Sequence, residues 1–209
     1  MVCRVLTFVL VLATFFVFAC SESSSDTEEF ANWKERNEQA LAAVVADSMR
    51  QTGWQRFKKY SLDETVEGQV ADYIYVKVIE SASGDDFTRP AYTDSVRVSY
   101  QGRLIPSKTY PEGYVFDGSV YGKFSSRTNS TKKFLVSGLT DGFCTAVQHM
   151  RRGDHWRVYI PSALGYGEKG SGSAIPGYSM LIFEIELIDF SPAGKTMPVW
   201  SARVVNDED

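Results

Sequence analysis

The sequence predicts an α+β protein: a β-sheet domain holding one short helix, preceded by a helical extension. Three observations carry this. The stretch Met150 to Phe190 contains two runs in which apolar residues recur at every second position, Trp156, Val158 and Ile160 in the first and Leu181, Phe183, Ile185 and Leu187 in the second. Period-two alternation marks half-buried strands. Leu139 to Met150 carries Phe143, Val147 and Met150 at i, i+4 and i+7, the spacing of one helical face. Phe30, Trp33, Asn37, Leu41, Val44, Val45 and Met49 repeat every three or four residues ahead of the strand patterns.

The chain has 209 residues, 44% of them hydrophobic and 13% aromatic, enough for one domain with a packed core and additions. A net charge of −4 supplies no basic surface, so nucleic acid is not expected as a partner. Cys3 falls in the leader and Cys20 at its end, which leaves Cys144 without an evident partner and predicts no disulfide. The two histidines, His149 and His155, and the absence of a C-x-x-C pair argue against a structural zinc site.

Residues 1–19 combine Arg4 with an apolar run from Val5 to Ala19, which is short for a membrane span and fits a secretory signal. Val17-Phe18-Ala19 before Cys20 resembles a bacterial lipobox, with Cys20 as the lipid-modified first residue; ordinary cleavage after Ala19 is the alternative. Residues 20–29 are polar and acidic (SESSSDTEE from Ser21) and read as a disordered tether. Residues 30–70 form the extension. Its helix is expected from Glu28 to about Arg50, with Thr27 or Asp26 as cap and Gly53 marking the end, and Trp54 and Phe57 in a less regular stretch. The apolar stripe is expected to pack on the following domain; dimerisation through it is the alternative.

Residues 71–191 form the main domain. Asp72 to Glu80 is β-branched and aromatic, hence a strand. A Gly- and Pro-containing loop leads to the strand Ser95–Leu104, on which Val96, Val98 and Tyr100 share one face and Arg97, Ser99 and Gln101 the other. Ile105 to Gly113, with two prolines, reads as a rigid hairpin connection into Val115-Phe116-Asp117-Gly118. A polar loop over 120–131 precedes a strand through Phe134 and Val136. Thr140 can cap the internal helix, and Arg151-Arg152-Gly153 stops it. Between the last two strands lies a Gly/Ser-rich loop with Tyr166 and Ile175-Pro176, which cannot fill a core but can close over one. Residues 192–209 read as a polar, peripheral tail.

Five pieces in register, VRVSYQGRL, YVFDGS, GDHWRVYIPSALGYG, AIPG and LIFEIEL, resemble the FKBP-type peptidyl-prolyl isomerases over Asp94 to Phe190. The resemblance implies an FKBP-like antiparallel twisted β-sheet wrapped around one short α-helix. It also implies an enzyme that isomerises X-Pro bonds in proline-containing polypeptides; taken with the lipobox-like residues before Cys20, the chain reads as a bacterial lipoprotein member, anchored in the cell envelope on the periplasmic side or the surface. Carried over residue by residue, Tyr100 forms a wall of the proline pocket, Phe116 lines it and Asp117 sits at its rim. Phe143 stands at the floor, where many members carry Trp, and Phe183 points in. Tyr166 offers a hydroxyl, and Ile175 a backbone N–H, to substrate carbonyls. Lys132 stands where a second aromatic is frequent, which is expected to open one side and to weaken the macrolide inhibitor binding that the resemblance otherwise implies. Ser171 replaces a histidine found in some members, and Thr140 is more polar than its counterpart. No metal or organic cofactor is implied. The competing class is a non-catalytic tethered module that holds proline-containing or unfolded segments.

Other patterns lead nowhere. Gly165-x-Gly167-x-x-Gly170 spells a dinucleotide fingerprint, but SGSAIPG follows where that fold needs a helix. No G-x-S-x-G occurs. Asn129-Ser-Thr is a glycosylation sequon by spelling alone.

Overall fold

The computed structural model describes residues 29–125 and 129–197. Cys20, the leader, most of the tether, Asp26 and Thr27, and the end of the tail lie outside the described residues. Helix α1 spans Trp33–Arg50 and is followed by β1 (Trp54–Lys58), β2 (Tyr73–Glu80), β3 (Ser95–Arg103), β4 (Val115–Gly118) and β5 (Lys132–Leu135). Helix α2 (Asp141–His149), β6 (His155–Ile160) and β7 (Leu181–Ser191) complete the order. The strands form one seven-stranded sheet in the order β1-β2-β6-β7-β3-β4, with β5 pairing along β3 beside β4. Every pairing is antiparallel.

The apolar rows read from the sequence meet on one side of this sheet. Val96, Val98, Trp156, Val158, Ile160, Leu181, Ile185 and Leu187 are buried together with Phe143, Ala146 and Val147 of α2 and Met150 just after it. Gly142 allows the approach, since a Cβ there would stand 2.3 Å from a methyl of Ile160. Thr140 occupies the N-cap position as expected, but its side chain caps nothing; its carbonyl accepts the Cys144 N–H at 2.8 Å. Cys144 is buried and free, and burial pushes its thiol up to about 11.

Four local expectations are corrected. The stretch after Gly53 is strand β1, which pairs with β2 over Trp54–Lys58, so helix ends at Arg50 within the extension. Its two aromatics are three residues apart and break alternation, because β1 is an edge strand with an aromatic on each face. Phe57 stacks at 4.1 Å on His149 and at 5.6 Å on Trp156, whereas Trp54 stacks at 5.4 Å on Tyr159. Glu29 is helical, but residues 30–32 form a turn and helix α1 starts only at Trp33, because Asn32 adopts a left-handed conformation (φ 51°) at its N-cap. The second face of β3 is also buried at Arg97, Ser99 and Gln101, because the segment after β4 crosses it. There Ser99 Oγ donates to the Ser130 carbonyl (3.2 Å) and Gln101 Nε2 to that of Val120 (3.0 Å). Met197 in the tail is buried rather than peripheral. Asn129 is 6% exposed, a poor glycan acceptor.

Helix α1 docks on the domain through its stripe. Trp33 Nε1 donates to Ser179 Oγ at 2.9 Å, and Ser179 Oγ donates to the Pro176 carbonyl at 2.6 Å. Asn37 Oδ1 accepts the buried Met180 N–H at 2.8 Å. The helix is thereby tied to the chain just after Ile175-Pro176. Asn37→Ala orphans that N–H and is expected to lower unfolding free energy by about 1–3 kcal/mol, whereas Glu38→Ala on the exposed side leaves it nearly unchanged; denaturant midpoints decide.

Burial lowers the His149 imidazole to about 4, with the Arg89 cation adding to the effect. The unfolded chain therefore takes up a proton below pH 6.5 that the folded chain refuses until about pH 4. Stability attached to this group is intact above pH 6.5 and falls as pH drops from 6.5 toward 4. Thermal unfolding is expected to lose on the order of 1–2 kcal/mol between pH 7.5 and 5, a slope that His149→Gln flattens.

Candidate active site

The site grows from β3. Tyr100 is 2% exposed. Its ring meets Phe143 edge-on at 5.9 Å, Phe134 at 5.5 Å and Phe183, tilted, at 6.4 Å. Phe183 in turn meets Phe143 at 5.0 Å and Phe116 at 5.5 Å, both near 90°. Strands β3, β4, β5 and β7 and helix α2 each contribute one ring to this group. Edge-to-face contacts place positive ring edges against negative faces and suit a rigid apolar wall.

Two backbone features bring the rings together. Gly102 lies between them: a Cβ there would stand 2.6 Å from ring carbons of both Phe116 and Phe183. The β3–β4 register shifts between Gly102, which faces Asp117, and Arg103, which faces Val115. Phe116 is the extra residue of this bulge. In a regular strand consecutive side chains point to opposite faces, whereas a bulge re-aims them. Phe116 thus reaches Phe183 while its neighbour Asp117 reaches the Tyr100 hydroxyl.

That hydroxyl is the polar centre of the site. Tyr100 Oη donates to Asp117 Oδ2 at 2.5 Å. Lys132 Nζ donates to Tyr100 Oη and to Asp117 Oδ1, both at 3.1 Å, and the Gly118 N–H donates to Asp117 Oδ1 at 2.8 Å. Burial and the hydrogen bond to Asp117 push the Tyr100 phenol up to about 12. Partial burial pushes the Asp117 carboxyl up, but the bonds from Tyr100, Lys132 and the Gly118 amide outweigh it and leave it below the usual carboxylate range. The Tyr100 contact holds the Lys132 ammonium above its ordinary value despite some desolvation. The trio is therefore phenol, carboxylate and ammonium throughout the neutral range. The side expected to stand open at Lys132 is instead occupied by its ammonium.

The loop between β6 and β7 is fixed by its own backbone. Gly167 N–H donates to the Ser162 carbonyl and Tyr178 N–H to that of Gly167, both at 2.8 Å. Tyr166 is 40% exposed, and among the described residues its hydroxyl has no hydrogen-bond partner, so it is available to a ligand. The Ile175 side chain is buried against the core. Its N–H, expected to face a substrate carbonyl, donates to the Ser171 carbonyl at 3.2 Å, and Ser171 N–H returns a bond to the Ile175 carbonyl at 2.8 Å. A ligand carbonyl that reaches the Ile175 N–H would have to displace that bond.

Of the seven sequence-read site residues, Tyr100, Phe116, Asp117, Phe143 and Phe183 are joined by direct contacts, and Tyr166 and Ile175 stand on the loop. Gly102, Phe134 and the contact of Lys132 with Tyr100 and Asp117 were not foreseen. A glycine inside a strand pattern is the available signal for the first, since it marks a close approach. Among the described residues no group of His, Cys, Asp or Glu side chains is arranged to hold a metal ion.

Residues 87–188 match the FKBP-type peptidyl-prolyl cis-trans isomerase family. They form a domain of that family's kind. The chain is 34% identical over 151 residues to the FKBP-type 22 kDa peptidyl-prolyl cis-trans isomerase of Escherichia coli, covering 72% of this chain and 62% of that protein. It is 32% identical over 117 residues to the outer membrane protein MIP of Legionella longbeachae, covering 56% of this chain and 44% of that protein. The crystal structure of a peptidyl-prolyl cis-trans isomerase from Pseudomonas syringae pv. tomato superposes with a TM-score of 0.53 at 26% identity, covering 76% of this chain and 96% of that one. The chain spans less than two thirds of the length of either curated relative.

Gly102→Ala is expected to push Phe116 and Phe183 apart. The aromatic side-chain resonances of both rings would shift, and stability would fall by about 1–3 kcal/mol, as overpacking costs. An unchanged aromatic spectrum would show that the close approach is not needed.

Proposed function

We propose that this protein is a peptidyl-prolyl cis-trans isomerase that acts without a cofactor on X-Pro bonds of envelope or secreted polypeptides. The observation that carries the reading is the group of five rings from five elements, capped by the Tyr100–Asp117 hydrogen bond. A planar X-Pro amide is held by resonance, and its rotation has a barrier of about 20 kcal/mol. Water stabilises the planar, charge-separated amide. The twisted amide has lost that charge separation and is favoured in an apolar enclosure. Selective binding of the twisted form lowers the barrier with no covalent step. About 4 kcal/mol of selectivity corresponds to a thousandfold rate. In this reading Phe116, Phe143, Phe183, Tyr100 and the Ile175 side chain hold the proline ring. The Tyr166 hydroxyl orients a carbonyl, and Asp117 fixes the Tyr100 wall.

The same proposal includes a lipid anchor at Cys20, with residues 1–19 as signal, 20–29 as tether, 30–70 as extension, 71–191 as isomerase domain and 192–209 as tail. The lipobox-like Val17-Phe18-Ala19-Cys20 supports it, as does the outer-membrane name of the Legionella relative. Among the described residues no helix is long and apolar enough to cross a membrane. The docking of α1 on the domain supports a monomer over a dimer through that helix. The Lys132 ammonium at the rim supports weak macrolide inhibitor binding.

The test is proline-limited refolding of a protein substrate, read without a coupled protease. Wild type is expected to accelerate it catalytically, Phe183→Ala to lose at least about tenfold, and Tyr166→Phe to lose about three- to tenfold, the worth of one hydrogen bond. Binding of the unfolded substrate without acceleration would replace this reading with a tethered peptide-holding module.

A further inference from the structure

Lys132 and Phe134 lie two apart on β5 and so face the same side. Phe134 packs edge-on against Tyr100, and Lys132 brings its ammonium to 5.3 Å from the centre of the Tyr100 ring. The ammonium thus stands at the edge of the aromatic group, beside the Tyr100 hydroxyl and Asp117. Its side chain is 46% exposed and that of Asp117 52%, so both charges meet solvent at the rim.

Both Asp117 oxygens are engaged: Oδ2 by Tyr100, and Oδ1 by Lys132 and the Gly118 N–H. A rim carrying Asp117 alone would present a negative charge, which repels acidic ligands. With Lys132 in contact the pair is neutral. An ammonium has three N–H donors, and two of them point to Asp117 and Tyr100. The third is uncommitted on the exposed side. No other cation pairs with Asp117 among the described residues.

We propose that Lys132 is a specificity-determining residue that makes the pocket rim favour polypeptide segments with an acidic side chain next to the proline. This rests on the isomerase reading of the same pocket. A proline ring seated among the aromatics places its flanking residue at the rim, one extended residue or about 3.3 Å along the chain. A Glu side chain can then reach the free ammonium donor, whereas a Lys side chain meets a like charge. The pair is solvent-exposed, so the preference is modest and screened by salt.

The experiment uses the full-length protein and three peptides that differ only before the proline: Glu-Pro, Leu-Pro and Lys-Pro. The kcat/KM for isomerisation is measured by exchange NMR at low and raised salt for wild type, Lys132→Met and Lys132→Glu, each normalised to its own Leu-Pro value. Wild type is expected to prefer Glu-Pro over Lys-Pro by about fivefold at low salt, with the ratio shrinking as salt is added. The ratio should fall toward one or below in Lys132→Met and invert in Lys132→Glu. A wild-type ratio near one, or a ratio indifferent to Lys132→Glu, overturns the proposal. If no peptide is isomerised, the isomerase reading fails by itself. Peptide dissociation constants from the same titrations then decide the rim proposal: the same charge order and its inversion support it, and equal affinities overturn it.

Discussion

The Tyr100 hydroxyl group is the contact on which the site depends. The ring below it is buried and touches three other aromatics, yet its oxygen must be satisfied where the core meets solvent. Asp117 and Lys132 supply the partners. A buried phenol without an acceptor would cost a few kcal/mol, so the bond links the placement of β4 and β5 to that of β3. The bulge at Phe116 and the missing side chain at Gly102 then let the remaining rings close around it.

The N-terminal helix belongs to the same mechanical unit. Trp33 and Asn37 hold the chain at Ser179 and Met180, just after the loop that carries Tyr166 and Ile175. Thr109 donates to the Glu29 carboxylate at 2.6 Å, and Arg36 reaches the Pro106 carbonyl at 3.4 Å, so the start of the extension also touches the β3–β4 connection. The extension thus braces two loops, the Gly/Ser-rich one between β6 and β7 and the two-proline connection between β3 and β4.

Much of this was legible in the sequence. Val96, Val98 and Tyr100, and likewise Trp156, Val158 and Ile160, bury as their alternation requires, because period two is a local property of an extended chain. Phe143 and Val147 of α2 and Met150 just past its end bury as the helical spacing requires, although the helix is buried all round from Gly142 to Gln148. The features that escaped depend on partners distant in sequence. Strand β1 exists because β2 offers an edge, and its aromatics at Trp54 and Phe57 serve opposite faces. The Ile175 N–H is engaged by Ser171 within a turn that residue types do not specify. The Lys132 role requires knowing that β5 lies beside Tyr100, and no spacing within one strand reveals that.

The central claim is that a proline ring enters the aromatic group beneath Tyr100. A groove of ≈ 620 Å³ lined in part by Arg103, His155, Arg157 and Glu184 is the natural competitor. Titration of a Leu-Pro peptide into the protein with aromatic side-chain resonances assigned distinguishes them. The account predicts that Tyr100, Phe116, Phe143 and Phe183 shift together while the cis and trans signals of the peptide enter exchange. Shifts confined to Tyr159 and His155 in the groove, with those four rings unmoved, would contradict it.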